Sequence, residues 1–208
     1  MRKLELHWNE RYQNRADEEL SWTEDRPDLS LEWIEKLCNR SESIIDIGGG
    51  RSSLIACLLG KGYTRLTHLD LSSVASRQLQ QRLGERANQV NWICGSVLDF
   101  SSAATFDVWH DRAVFHFLTD AKDRQQYVKV LEKHLSPEGR VILATFHTSG
   151  PEKCSGLPIC RYTPESLVQE FNQWSETEWE LEIDAIHDHV TPSGNVQIFQ
   201  YSCLIKSR

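Results

Sequence analysis

Ser43-Ile44-Ile45-Asp46-Ile47-Gly48-Gly49-Gly50-Arg51-Ser52, with Asp70 twenty residues after the last glycine, is the stretch whose reading decides the fold. A short β-branched run ending in consecutive glycines reads as a strand that turns sharply. Glycine allows the backbone to approach a ligand without interference from Cβ. Ser52 is placed to cap a helix running to about Lys61, leaving backbone N–H groups exposed to an anion. Asp70 follows Leu66-Thr67-His68-Leu69, so it should close a second strand at its carboxyl end, where a carboxylate accepts ribose hydroxyls. A tight turn without a ligand is the competing reading of the glycines alone. The spaced acid makes a nucleoside-bearing ligand the stronger one.

Working outward, short apolar runs alternate with helical patterns. The runs are Ile44 to Ile47, Leu66 to Leu69, Val90 to Cys94, Phe106 to His110 and Val141 to Phe146. Helices are predicted from about Glu5 to Arg15, Leu29 to Cys38, Ser52 to Lys61, Val74 to Leu83 and Ala121 to Leu135. This βαβ series predicts an α/β fold with a mainly parallel sheet. Ser136-Pro137-Glu138-Gly139 reads as a turn before the fifth strand. A polar loop from His147 to Tyr162 precedes a helix starting near Thr163-Pro164-Glu165. Glu178 to His189 and Asn195 to Ile205 then alternate apolar and polar residues around Thr191-Pro192-Ser193-Gly194, the pattern of an antiparallel hairpin.

The formal charge of -7 offers no basic footprint for a phosphate backbone, so neither nucleic acid nor an anionic membrane is an expected partner. The opening residues lack the apolar core of a secretory signal and no apolar run is long enough to cross a bilayer. A cytoplasmic location is expected. The six cysteines show no C-x-x-C pair and are read as reduced thiols, with Cys57, Cys94 and Cys203 in the core. His187 and His189 share one face of a strand, but no third ligand has suitable spacing, and no metal site is expected.

Five features together resemble the class I S-adenosylmethionine-dependent methyltransferases. They are Ile45-Asp46-Ile47-Gly48-Gly49-Gly50, Leu69-Asp70-Leu71-Ser72, Gly95-Ser96-Val97-Leu98-Asp99, Phe106 to Ala113 and the closing hairpin. More narrowly, His110 to Leu118 and Gly150 to Leu157 resemble a poorly characterised bacterial group distantly similar to small-molecule and protein-lysine methyltransferases. The resemblance implies a Rossmann-like doubly wound sheet of seven strands with a C-terminal antiparallel hairpin. It implies one domain over 1–208, with a helical cap or lid over 1–40, a cofactor core over 41–147 and an acceptor-side loop, helix and hairpin over 148–208.

S-Adenosyl-L-methionine is the cofactor that the resemblance implies, with S-adenosyl-L-homocysteine as product. Asp46 and Gly48, Gly49 and Gly50 would surround its methionine and ribose portion, and Asp70 would take the ribose hydroxyls. Leu71 would pack on adenine, while Ser96 and the backbone of Val97 would meet its polar edge. Ser96 stands where many relatives carry aspartate, and it reads equally as a strand-end serine satisfied by its own loop. Trp22 is the lid candidate, and Trp8 and Tyr12 also precede the sheet.

Asp111 is expected at the fourth strand's carboxyl end, near the methionine amine and the reacting methyl. The competing reading is an N-cap or an ion pair with Arg112. His110, His116 and His147 fall near the same ends, where imidazole titrates usefully as a base. His116 and His110, with Asp111, are the catalytic candidates. Lys153 and Arg161 are candidate anchors for an acidic acceptor, and Cys154 and Cys160 are read as structural. The acceptor is expected to be a small molecule or a protein side chain. A nicotinamide-dependent oxidoreductase and a silent cofactor-binding regulator remain the alternatives; the pattern leaves oligomeric state open.

Overall fold

The computed structural model describes residues 2–207. Two helices, α1 (Arg2–Asn14) and α2 (Asp28–Leu37), precede the sheet. The alternating section then runs β1 (Ile44–Ile47), α3 (Leu54–Gly60), β2 (Leu66–Asp70), α4 (Ser73–Leu83), β3 (Val90–Cys94), β4 (Phe106–Arg112), α5 (Ala121–His134) and β5 (Leu135–Phe146). After it come a two-residue hairpin, β6 (Lys153–Cys154) and β7 (Leu157–Pro158), the helix α6 (Pro164–Trp174), and the long strands β8 (Trp179–Val190) and β9 (Val196–Lys206).

Seven strands form one sheet in the order β3-β2-β1-β4-β5-β9-β8. The first five run parallel, and β9 pairs antiparallel with both β5 and β8. From β1 the chain builds outward through β2 and β3, then returns to the opposite side of β1 with β4. That reversal opens a crevice outside the carboxyl ends of β1 and β4, where open parallel sheets bind ligands. The doubly wound α/β fold and its closing hairpin are therefore as the sequence predicts.

Period-two alternation sends Ile44, Val108 and Ile142 into a core with Trp33, Ile34 and Leu58 on one face. Ile45, Trp109 and Leu143 pack on the other face against Tyr127, Leu131 and Phe171. Thr163 caps α6 as its proline predicts: Thr163 Oγ1 accepts from the Ser166 N–H, and Ser166 Oγ accepts from the Thr163 N–H.

Three expectations change. The stretch Ser136 to Gly139 lies inside β5 instead of forming a separate turn. Phe106 faces Leu135 while Val108 faces Arg140, so β5 bulges beside β4. Pro137, with no N–H to give a ladder, is tolerated in such a bulge. The predicted polar loop contains the β6/β7 hairpin, whose turn uses positive φ at Ser155 (53°) and Gly156 (80°); two-residue strands are too short to show alternation. Cys94 is exposed, because it ends β3 on the outer edge of the sheet. Cys203 is buried as expected, whereas Cys57 is only half-buried.

Candidate functional site

Two cavities meet at the carboxyl ends of β1 and β4. The first, about 240 Å³, is lined by Asp70, Leu71, Ser96, Val97 and Leu98 at one end and by Gly48, Arg112, Ala113 and Val114 at the other. The second, about 220 Å³, lies against Asp46, Gly48, Gly49, Arg51, His110 and Glu24. Tyr12, Trp22, Gly48 and Arg112 line both. The spaced Asp70 and the glycine turn are thus brought together with the third and fourth strand ends.

The glycine turn is held from within. Gly48 N–H donates to the Leu69 carbonyl (2.7 Å) and Ser52 N–H to the Gly49 carbonyl (2.9 Å). Gly50 N–H donates to Asp70 Oδ2 (2.9 Å), and Ser72 N–H donates to Asp70 Oδ1 (2.6 Å). The N–H groups of Gly48, Gly50, Ser52 and Ser72 are thus held within the protein. The α3 helix begins at Leu54, and Ser52 Oγ accepts from the Leu54 N–H. Each Asp70 oxygen has lone-pair capacity beyond its one backbone donor. Burial raises the Asp70 carboxyl above the usual range.

Glycine is required at two of these positions. Gly48 has φ +63°, and a Cβ there would stand 2.0 Å from Val114 Cγ2. Gly50 has φ +54°, and a Cβ there would meet the Tyr12 hydroxyl at 2.3 Å. The turn is therefore roofed by the fourth-strand exit on one side and by α1 on the other.

The roof is aromatic. Trp8 packs edge-on against Trp22 and Phe117 at ring separations of 5.7 and 5.2 Å, and Tyr12 meets Trp22 at 6.0 Å. All four rings line the first cavity. Trp22 lines both cavities, and Trp8, which amphipathic packing alone would explain, lines the first. Such rings suit a sulfonium cation.

Ser96 Oγ accepts from the Leu98 N–H (3.2 Å) while Ser96 also lines the cavity. Its loop-satisfied reading is realised beside the site. Asp111 is fully buried and lines neither cavity. Its Oδ1 accepts from the Val114 N–H (2.9 Å), and its Oδ2 accepts from the Phe115 N–H (3.2 Å) and the Tyr127 hydroxyl (2.6 Å). The carboxylate thereby fixes the turn that presents Arg112, Ala113 and Val114, with Ala113 held at φ 71°. This is the capping alternative, and Arg112 pairs elsewhere.

Burial pushes the Asp111 carboxyl up to about 6 despite the Tyr127 and backbone donors. A raised folded value means that its contribution to stability is complete below the unfolded carboxyl range and is lost as pH rises through about 6. Asp111→Asn should therefore flatten the dependence of unfolding free energy on pH between 4 and 7 by roughly 3 kcal/mol, since each pKa unit corresponds to about 1.4 kcal/mol. Urea unfolding of both proteins across that range measures it; parallel curves would refute the assignment.

His116 is fully buried and lines neither cavity, and its Nδ1 accepts from the Phe146 N–H (3.4 Å). Burial pushes its imidazole down to about 3, so it takes up a proton poorly. His147 Nδ1 meets Ser149 Oγ at 2.6 Å in an exposed turn. Arg161 braces its own loop, donating to the Gly150 carbonyl (2.9 Å) with Glu152 beside it (3.4 Å). Lys153 is exposed, Cys154 is buried on the rim of the first cavity with its thiol pushed up to about 11 by burial, and Cys160 lies by the Leu118 carbonyl at 3.8 Å.

His110 lies in the second cavity's wall. Its Nδ1 is 2.8 Å from Asp46 Oδ1 and its Nε2 is 2.9 Å from Ser30 Oγ. The second oxygen of Asp46 is buried without a hydrogen-bond partner among the described residues.

Sequence reasoning passed over Arg112 and Glu24. Arg112 Nε donates to the Tyr201 hydroxyl (3.1 Å) and Nη1 to the Trp22 carbonyl (2.9 Å); Nη2 stands 2.9 Å from Glu24 Oε1. Glu24 also meets His189 Nδ1 at 3.4 Å and His187 Nε2 at 3.8 Å. The two histidines thus face an ion-paired carboxylate. Burial opposes ionisation of Glu24, but His189 and Arg112 outweigh it and hold the carboxyl below its usual range.

Residues 45–141 match the family model described as a methyltransferase domain. The eEF1A lysine and N-terminal methyltransferase of Mus musculus is 27% identical over 139 residues. That match covers 65% of this chain and 19% of the relative, so the chain corresponds to a small part of that protein. The solved structure for conversion of a disulfide bond into a thioacetal group during echinomycin biosynthesis superposes with a TM-score of 0.74 at 16% identity, covering 98% of this chain and 93% of the other. A Burkholderia thailandensis 1,6-didemethyltoxoflavin-N1-methyltransferase, solved with its acceptor and S-adenosylhomocysteine, gives 0.67 at 19% identity over 95% of this chain and 81% of its own. At these identities the structural likeness establishes the fold.

Proposed function

We propose that this chain, which carries a methyltransferase domain in the class I fold, transfers a methyl group from S-adenosylmethionine to a small molecule or a protein side chain. The carrying observation is Asp70. It closes β2 against the glycine turn, keeps acceptor capacity on both oxygens, and lines one cavity with Leu71, Ser96 and Val97. Ribose hydroxyls suit that carboxylate, an adenine ring suits Leu71 and Val97, and an ammonium suits the unpartnered buried oxygen of Asp46. The residues present fit the cofactor.

When held by Asp46, Asp70, Leu71 and Val97, S-adenosylmethionine would supply an electrophilic methyl on sulfonium, which an acceptor lone pair would take as the carbon–sulfur bond breaks, the acceptor's proton passing to solvent and S-adenosylhomocysteine leaving as the neutral thioether. Alignment is then the protein's main task. Asp111 contributes by fixing the backbone from Arg112 to Phe115, as a positioning residue. Trp8, Tyr12, Trp22 and Phe117 line the cavity and would turn aromatic rings to the sulfonium.

The nicotinamide alternative fits less well. A dinucleotide pyrophosphate needs free N–H groups at the glycine turn, and Gly48, Gly50 and Ser52 spend theirs inside the protein. The acceptor range is drawn from relatives that act on protein amines and on a small heterocycle.

The test is incubation of the purified chain with methyl-labelled S-adenosylmethionine and fractionated lysate, followed by location of the label by size and mass. Label in one metabolite or one polypeptide is expected. Cofactor binding without any labelled product would favour the silent regulator, and tight binding of a nicotinamide dinucleotide instead would overturn the reading.

A further inference from the structure

We propose that His110 is a positioning residue which, anchored by Ser30, locks Asp46 so that its free oxygen receives the α-ammonium at the aminoacyl end of the cofactor. The inference rests on the S-adenosylmethionine reading above. Asp46 and His110 are register partners on adjacent parallel strands, and their side chains rise from the same face of the sheet. Ser30 reaches them from α2. The three residues are almost wholly buried: Asp46 is 2% exposed, His110 3% and Ser30 0%.

Geometry sets the roles. A proton on Nδ1 donates to Asp46 Oδ1, and the Ser30 hydroxyl then donates to Nε2. The opposite tautomer would oppose two lone pairs at 2.8 Å. An imidazole held at both nitrogens cannot turn, and a carboxylate tied through one oxygen by that ring cannot turn either. Oδ2 is consequently fixed beside the glycine turn, where a Cβ on Gly49 would stand 2.6 Å away.

That oxygen is the unusual feature. A buried carboxylate oxygen without a donor is costly, and native structures keep few of them. Asp46 lines the second cavity, which shares Gly48, Tyr12, Trp22 and Arg112 with the nucleoside-sized first one. A ligand whose sugar reaches Asp70 can therefore extend past Gly48 to Asp46. Its cationic end would supply the missing donor in a charge-assisted hydrogen bond.

Calorimetry on the full chain tests this with two ligands: S-adenosylhomocysteine, which carries the ammonium, and 5′-methylthioadenosine, which lacks the aminoacyl end. His110→Leu should weaken S-adenosylhomocysteine about tenfold or more and leave methylthioadenosine within about twofold. His110→Asn, whose amide can still donate to Asp46, should recover most of the loss. Equal weakening of both ligands, or no weakening of the first, overturns the proposal. Should His110→Leu fail to fold, Ser30→Ala is read in the same way, with a selective loss of about threefold expected and an unselective one decisive against it. A native chain that binds neither ligand would instead overturn the cofactor reading.

Discussion

Asp70→Ala is expected to weaken S-adenosylhomocysteine binding by on the order of 100-fold or more, the largest loss in affinity from any single site change. Asp70 serves the ligand and the turn together. Its two oxygens accept from Gly50 and Ser72, and Asp70 lines the cavity at the β2 end. Removal leaves two buried N–H groups without acceptors and ribose hydroxyls without theirs. Hydrogen bonds to a charged group contribute about 1.5–3 kcal/mol each, and about 1.4 kcal/mol is a factor of ten.

A partial variant separates these contributions. Asp70→Asn keeps the shape but presents one carbonyl oxygen where two carboxylate oxygens now accept, so it can satisfy Gly50 or Ser72 and not both. Its affinity should fall between native and alanine. Calorimetry measures all three proteins, with a thermal melt of each to show that the turn stays folded. A native-like affinity for the alanine variant would remove Asp70 from the site.

Asp70 was readable from sequence because its information is local. A strand pattern, three glycines and a spaced acid lie on one continuous βαβ unit, and parallel strands bring their ends together whatever the intervening helix does. The closing hairpin was readable for a similar reason: Glu178 to His189 alternates over its whole length, and a half-buried strand demands that. The start of β5 was hidden because its first residues form a bulge, which obeys neither period. Asp111 stayed ambiguous because a carboxylate at a strand end looks the same in sequence whether it caps a turn or contacts a ligand. The N–H groups of Val114 and Phe115 decide between them.

The polar networks were the least readable part. Glu24, Arg112, His189 and Tyr201 come from four separate elements, and none sits in a periodic pattern that points toward the others. Ser30 did leave a trace. It lies on the same helical face as Trp33 and Ile34, so a small polar side chain on an inward face signals a buried partner. Arg112 was visible only as a neighbour of Asp111, one residue along a strand and hence on the opposite face of the sheet.

Arg112→Leu is expected to cost about 3–5 kcal/mol of stability, the range for removing one partner of a buried ion pair. The guanidinium joins the loop carrying Trp22 and Glu24 to the closing hairpin: it donates to the Trp22 carbonyl and the Tyr201 hydroxyl, pairs with Glu24, and lies over the Phe199 ring at 4.9 Å. Leucine fills much of that volume but leaves the Glu24 carboxylate, with 15% of its side chain exposed, without its guanidinium partner. For a chain of this length the change corresponds to a fall in melting temperature on the order of 10 °C.

The sign of the pH dependence follows from Glu24. Its depressed carboxyl supplies stability above the unfolded value, which is lost as pH falls through the folded one. Without Arg112 the carboxyl rises, so the deficit of the variant should be greatest near neutrality and narrow below about pH 4.5. Adding Glu24→Gln to Arg112→Leu removes the unpaired charge and should recover about half of the loss. Arg112→Lys keeps the charge, yet an ammonium cannot span Trp22, Tyr201 and Glu24 together, so only part of the stability should return. Urea unfolding at pH 7 and pH 4.5 provides the comparison. A single variant within about 1 kcal/mol of native at pH 7 would mean that the Trp22 loop and the hairpin hold together without the guanidinium.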